Sequence, residues 1–147
     1  MGYIITEHVV GCNANQNMYA STTEAAKKLY DSMITEINRH VENECRERDV
    51  ISYGTARAGD NLIIFYIVNS NYSVDIIETL DITEDPAKGP TNDMIRNLID
   101  YVEETIGDRA TTARALANTI GLTGEQLNKY YPGWEKYMDE EDEGGED

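Results

Sequence analysis

Ala26, Leu29, Met33, Ile37, Val41 and Cys45 follow one another at steps of three and four residues. That spacing puts them on one stripe of a single helix, because residues three and four apart share a face. A helix carrying the whole stripe runs about seven turns. Its start is marked by Ser21 and Glu24, an S-x-x-E capping box. An apolar stripe this long cannot face water, so the rest of the chain has to supply a surface that covers it.

Strands supply that surface. Tyr3 to Val10 is β-branched and apolar and reads as a first strand; "GCNANQNMYAS" after it reads as a polar loop. Beyond the helix, "VISYGTAR" is closed by the turn "AGDN". "LIIFYIV" is apolar on both faces and is expected to be central in the sheet. "YSVDIIETLDI" places Val74, Ile76, Glu78, Leu80 and Ile82 on one side and Asp75, Ile77, Thr79 and Asp81 on the other. Glu78 interrupts the apolar row, which predicts an edge strand or a partly open face. The expected fold is α+β: an antiparallel sheet with one long helix, in the order β-α-β-β-β.

"TEDPAKGP" is a linker, and the chain beyond it turns helical. Met94 or Ile95, Leu98, Val102 and Ile106 form a second stripe, and Gly107 is a C-terminal stop. Two short helices follow, around Thr112–Thr119 and Glu125–Tyr130, the second opened by a Thr123–Gln126 capping box. The organisation expected is an α+β domain over 1–85, a helical region over 91–137 and an acidic tail over 138–147. No internal repeat is visible.

From Ala113 to Tyr130 the chain resembles helix-turn-helix units. Ala117 is the small residue where the helices approach, Gly121 is the turn, and Leu116, Ile120, Leu122, Leu127 and Tyr130 hold the packing positions. The resemblance implies a helical pair, which many proteins use without touching DNA. Base reading would need donors on the second helix within a basic field. Gln126, Asn128 and Lys129 stand there, with Arg109, Arg114 and Lys136 nearby. Glu103, Glu104, Asp108, Glu125, Glu135 and the tail oppose them. The expected field repels phosphate, so the pair is read as packing or protein contact.

The formal net charge is −16, and it is concentrated. From Asp75 to Asp108 ten acids face only Lys88 and Arg96, and seven of the last nine residues, Asp139 to Asp147, are acidic. Even solubilising charge would be spread more widely. Asp93, Asp100, Glu103 and Glu104 avoid the stripe of their helix and are expected to face water, with Asp108 just beyond. Tyr131, Trp134 and Tyr137 cluster beside Asp139, Glu140, Glu141, Asp142 and Glu143. Aromatics next to charge are common interface anchors; they also serve as a small lid that pins a terminal segment. A row of carboxylates can imitate duplex DNA, which carries a charge every ~1.7 Å of axis, and is steered onto basic grooves.

In size, charge and tail, though in no diagnostic motif, the chain resembles the small acidic phage-type DNA mimics that inhibit restriction enzymes and CRISPR effectors. The resemblance implies a basic nucleic-acid-binding partner, such as a host defence nuclease, blocked at its DNA or guide channel, and a place in the cytoplasm, that of the host if the chain is viral. The alternatives are a helix-turn-helix DNA-binding regulator, acting as a homodimer that gathers the few basic residues, and a viral structural or assembly protein.

Catalysis is not expected. His8 and His40 have no Cys, Asp or Glu neighbour at ligand spacing, and Cys12 and Cys45 form no metal-ligand pattern, so no metal and no cofactor is implied. Cys45 is expected as a buried thiol on the first stripe. Neither a phosphate-binding loop nor a nucleophile elbow occurs. No stretch approaches the length of a membrane span, and nucleic acid is an unfavourable partner for this surface.

Overall fold

The computed structural model describes residues 2–11, 15–85 and 89–138. Strands β1 (Gly2–Val9) and β2 (Gln16–Ala20) precede the long helix α1 (Thr23–Glu47). Then come β3 (Val50–Ala58), β4 (Leu62–Asn69) and β5 (Val74–Asp85), followed by helices α2 (Asn92–Thr105) and α3 (Arg109–Ala115). A π-helical turn, Leu116–Ile120, continues α3 before α4 (Gly124–Tyr130). The fold is α+β, with one antiparallel sheet in the order β2-β1-β5-β4-β3.

The expected β-α-β-β-β order lacked β2. "QNMYA" looks polar because half-buried Gln16 and Asn17 open it, while Met18, Tyr19 and Ala20 are buried. A five-residue strand offers too short an alternation to stand out from the loop around it. Hairpin pairing with β1 secures it, with Ile5 opposite Met18 and Glu7 opposite Gln16.

α1 buries the stripe read from its spacing: Ala26, Leu29, Met33, Ile37 and Val41, together with Tyr30. Each large apolar side chain taken fully out of water contributes roughly 1.5–3 kcal/mol, so the stripe alone holds the helix on the sheet. Cys45, expected buried, is half-buried where the stripe runs out at the end of the helix, and burial pushes its thiol up. Cys12 lies outside the described residues. The N-cap is Thr22, whose hydroxyl accepts from the Ala25 N–H at 3.1 Å, in place of the expected Ser21–Glu24 box. Ser21 is engaged elsewhere: its N–H and its hydroxyl both donate to the Thr119 carbonyl, at 2.7 and 3.2 Å.

β5 is the central strand, paired on both sides by β1 and β4, and this corrects the edge position inferred from Glu78. The single apolar row inferred for β5 is also broken. Phe65 pairs with Glu78 and Tyr66 with Ile76, so Ile77 is an extra residue, a β-bulge. One extra residue shifts the alternation. Val74 and Ile76 lie exposed, while Glu78 and Leu80 are buried under the helices. β4, expected at the centre, lies next to it between β5 and β3, and buries Ile63, Phe65 and Ile67.

α2 packs on β2 at the sheet edge, where the Asn97 amide donates to the Asn17 carbonyl at 2.8 Å and covers an otherwise open strand. It buries Met94, Ile95, Leu98 and Val102, while Ile106, expected on the stripe, is 58% exposed at its end. Gly107, at φ +76°, ends the helix in the left-handed region that glycine enters most easily. Core residues of the sheet, α1, α2 and the helical pair form one cluster, running from Ile5, Met33 and Phe65 to Leu98, Leu116 and Leu127.

Candidate functional site

Thr91 caps α2, accepting from the Met94 N–H at 3.2 Å, and the buried stripe of Met94, Ile95, Leu98 and Val102 fixes which side of the helix meets water. Asp93, Asp100, Glu103 and Glu104 are all exposed, and none forms an ion pair with another described residue. The ion pairs seen among the described residues, Arg39–Glu36 at 3.0 Å and Arg46–Glu42 at 3.4 Å, both lie within α1. Asp108 does different work. It caps α3, accepting from the Thr111 hydroxyl at 2.8 Å and the Ala110 N–H at 3.2 Å, and the Thr111 bond leads in holding its carboxyl below the usual range.

The aromatic cluster binds the C-terminal segment to this end of α2. Tyr131 donates to Glu103 at 3.3 Å and packs edge-on against Tyr137, with ring centroids 5.6 Å apart. Arg109 donates to the Tyr137 hydroxyl at 3.2 Å and lies over its ring. Trp134 is half-buried and donates to Asn128 at 2.9 Å. The structure thus joins Glu103, Tyr131 and Tyr137, while Trp134 bonds to Asn128 of α4. Asp139, Glu140, Glu141, Asp142 and Glu143 lie outside the described residues.

The helix-turn-helix pattern forms a helical pair. Its turn is Gly121 at φ +82°, and the Leu122 N–H returns to the Leu116 carbonyl at 3.1 Å. Polar side chains of α4 are engaged internally. Gln126 accepts from the Thr123 N–H at 2.9 Å in the expected capping box, Asn128 holds Trp134, and Lys129 lies over the Tyr130 ring. Tyr130 in turn donates to Asn92 and ties the pair to α2.

A second feature was not anticipated. A cleft of about 460 Å³ opens between the sheet, α1 and α2. Glu7 and Glu78 reach it from β1 and β5, Glu36 and His40 from α1, Asp100 and Glu104 from α2. His40, expected to have no Cys, Asp or Glu neighbour at ligand spacing, shares this cleft with carboxylates from four elements; Glu36, four residues before it on α1, is visible from spacing, and only the fold brings in the others. Glu78 is 3% exposed and makes no hydrogen bond or ion pair with a described residue. Burial, and after it the Glu7 carboxylate, push its carboxyl up to about 7. Burial raises Glu7 as well, partly offset by His40. His8, away from the cleft, lies 2.6 Å from the Asn15 side-chain oxygen.

Adjoining the cleft across His40 is a groove with exposed Val10, Val74 and Ile76. Among the described residues no three His, Cys, Asp or Glu side chains are arranged to hold a metal ion, and no helix is long and apolar enough to cross a membrane. No protein-family model, curated protein or solved structure matches the chain.

Proposed function

We propose that the chain is a non-enzymatic acidic binding protein whose partner is a basic nucleic-acid-binding protein, such as a restriction enzyme or CRISPR effector, occupied at its nucleic-acid channel. The observation that carries this reading is the solvent side of α2. Asp93, Asp100, Glu103 and Glu104 stand exposed there and form no ion pair with a described residue. Such carboxylates keep their field for an outside cation, and their attraction to a basic groove is long-ranged at low salt. The tail from Asp139 to Asp147 adds seven acids to the same end of the chain.

Base reading by α4 is the weaker alternative, because Gln126, Asn128 and Lys129 are already held by Thr123, Trp134 and Tyr130. Freeing them would cost the capping box and the anchor of the C-terminal segment.

The test is capture from lysates of cells carrying restriction and CRISPR systems, repeated over a salt series. The expected catch is a basic nucleic-acid-binding protein, released by salt or by competing duplex DNA. Changing Asp100, Glu103, Glu104 and Asp139–Glu143 to Asn and Gln should weaken capture and flatten its salt dependence. Undiminished capture by this neutralised variant would refute the reading. Direct binding of duplex DNA, lost on changing Gln126 and Lys129, would replace it with the regulator.

A further inference from the structure

The cleft holds a carboxylate that the fold does not need. At the position of Glu78 the neighbours along β5 and across the sheet, Leu80 and Phe65, are fully buried and apolar. An apolar residue would suit the core there, whereas a buried carboxylate without a partner costs several kcal/mol. The bulge at Ile77 brings Glu78 under the helices and into the cleft. Glu7 stands beside it and adds to the unfavourable energy through like-charge repulsion. Native structures rarely leave such a group unsatisfied unless something from outside satisfies it.

We propose that this cleft is a receptor for an organic cation: an alkylammonium or guanidinium group enters between α1, α2 and the sheet and lies against Glu78. Glu7, Glu36, Asp100 and Glu104 surround the charge, and Val9 and Ile37 line the same space and receive the aliphatic stem. At about 460 Å³ the cleft admits a chain of several carbons, since a water molecule occupies roughly 30 Å³. A metal ion is the poorer occupant, because no three of the described acids and His40 converge with ligand geometry.

Titration of the site follows from the same groups. Glu78 shares the cleft with Glu7 from β1, Glu36 and His40 from α1, and Asp100, Tyr101 and Glu104 from α2, and it is Glu7 that acts on its carboxyl. With its carboxyl pushed up to about 7, Glu78 keeps its proton much closer to neutral pH than an ordinary carboxyl does, and an arriving cation favours the ionised form. Binding therefore expels protons wherever the free protein still holds one on Glu78.

The cation has two sources, a free polyamine or a Lys or Arg side chain of a bound protein, and both share this chemistry. Titration calorimetry with spermidine and with agmatine, at about 0.15 M salt in buffers of different ionisation enthalpy, tests the site itself. Saturable binding with proton release is expected. Glu78→Gln, close in shape, should weaken it about tenfold or more and abolish the proton release; Glu7→Gln should weaken it as well. Equal affinity in the wild type and both variants, or binding without proton release, would overturn the proposal.

Capture of a basic partner by the Glu78→Gln protein then separates the sources. Lost capture assigns the cation to the partner's side chain; retained capture with lost spermidine binding assigns it to a free polyamine. The cleft does not depend on the proposed function: spermidine binding with no partner captured at any salt refutes that function and leaves the cleft standing.

Discussion

Glu78→Gln should make the protein more stable at neutral pH, and by an amount that grows with pH. In the folded chain the carboxyl is pushed from 4.5 up to about 7. Each pH unit across that interval is worth roughly 1.4 kcal/mol, so ionising Glu78 in place costs the folded state about 3 kcal/mol. The sign follows from linkage. Below about pH 4.5 the carboxyl is protonated in both states, and Glu78 contributes no pH dependence. Between that point and about pH 7 the unfolded chain releases its proton while the folded chain keeps it, so stability falls as pH rises. Above about pH 7 the loss is complete. Glutamine has nothing to titrate and escapes it. Urea unfolding, followed by far-ultraviolet circular dichroism, gives the difference between the two proteins. From about pH 5 to about pH 8 it should widen by roughly 2–3 kcal/mol in favour of the variant. A difference that stays flat within about 0.5 kcal/mol would contradict a buried, destabilising Glu78 carboxylate. It would mean that Glu78 is solvated, or already paired with a cation, in solution. Carbon NMR of the carboxyl signals gives an independent reading: the wild type should show one carboxyl titrating near neutrality that is missing from the variant.

Two further substitutions probe the scaffold around the site. Gly121→Ala should destabilise the fold by about 1 kcal/mol or more, since φ is +82° and the new methyl carbon would come within 3.0 Å of the Ser21 hydroxyl; thermal unfolding unchanged from wild type would contradict this. Asn97→Ala removes the bond that ties α2 to the edge of β2 and should cost about 1 kcal/mol, with faster amide hydrogen exchange confined to β2 and α2. Unaltered exchange there would show that the amide bond does not hold the edge.

Local pattern carried much of this structure. The stripe of α1, the strands "LIIFYIV" and "VISYGTAR", the Gly107 stop and the Thr123–Gln126 box are visible in the sequence because each depends on residues a few positions apart. The exposed acids of α2 are visible for the same reason: a helix whose apolar stripe is known has its wet side known too. Polarity by itself misled at β2, where hairpin pairing overrides a polar composition, and at Ser21, which gives up its capping role to bond a carbonyl 98 residues away.

The cleft lay outside what sequence spacing can determine. Glu78 is visible as a flaw in an apolar row, and a flaw is most simply read as an open edge. Only the strand order puts β5 at the centre, and only the bulge turns Glu78 under the helices. Glu7, Glu36, His40, Asp100 and Glu104 come from three other elements and meet it there. The sequence thus determined the elements and the sign of the surface, because periodicity and charge are local properties. Tertiary structure decided which carboxylates share a cleft and which one is buried, because desolvation and like-charge repulsion depend on what the fold brings together in space.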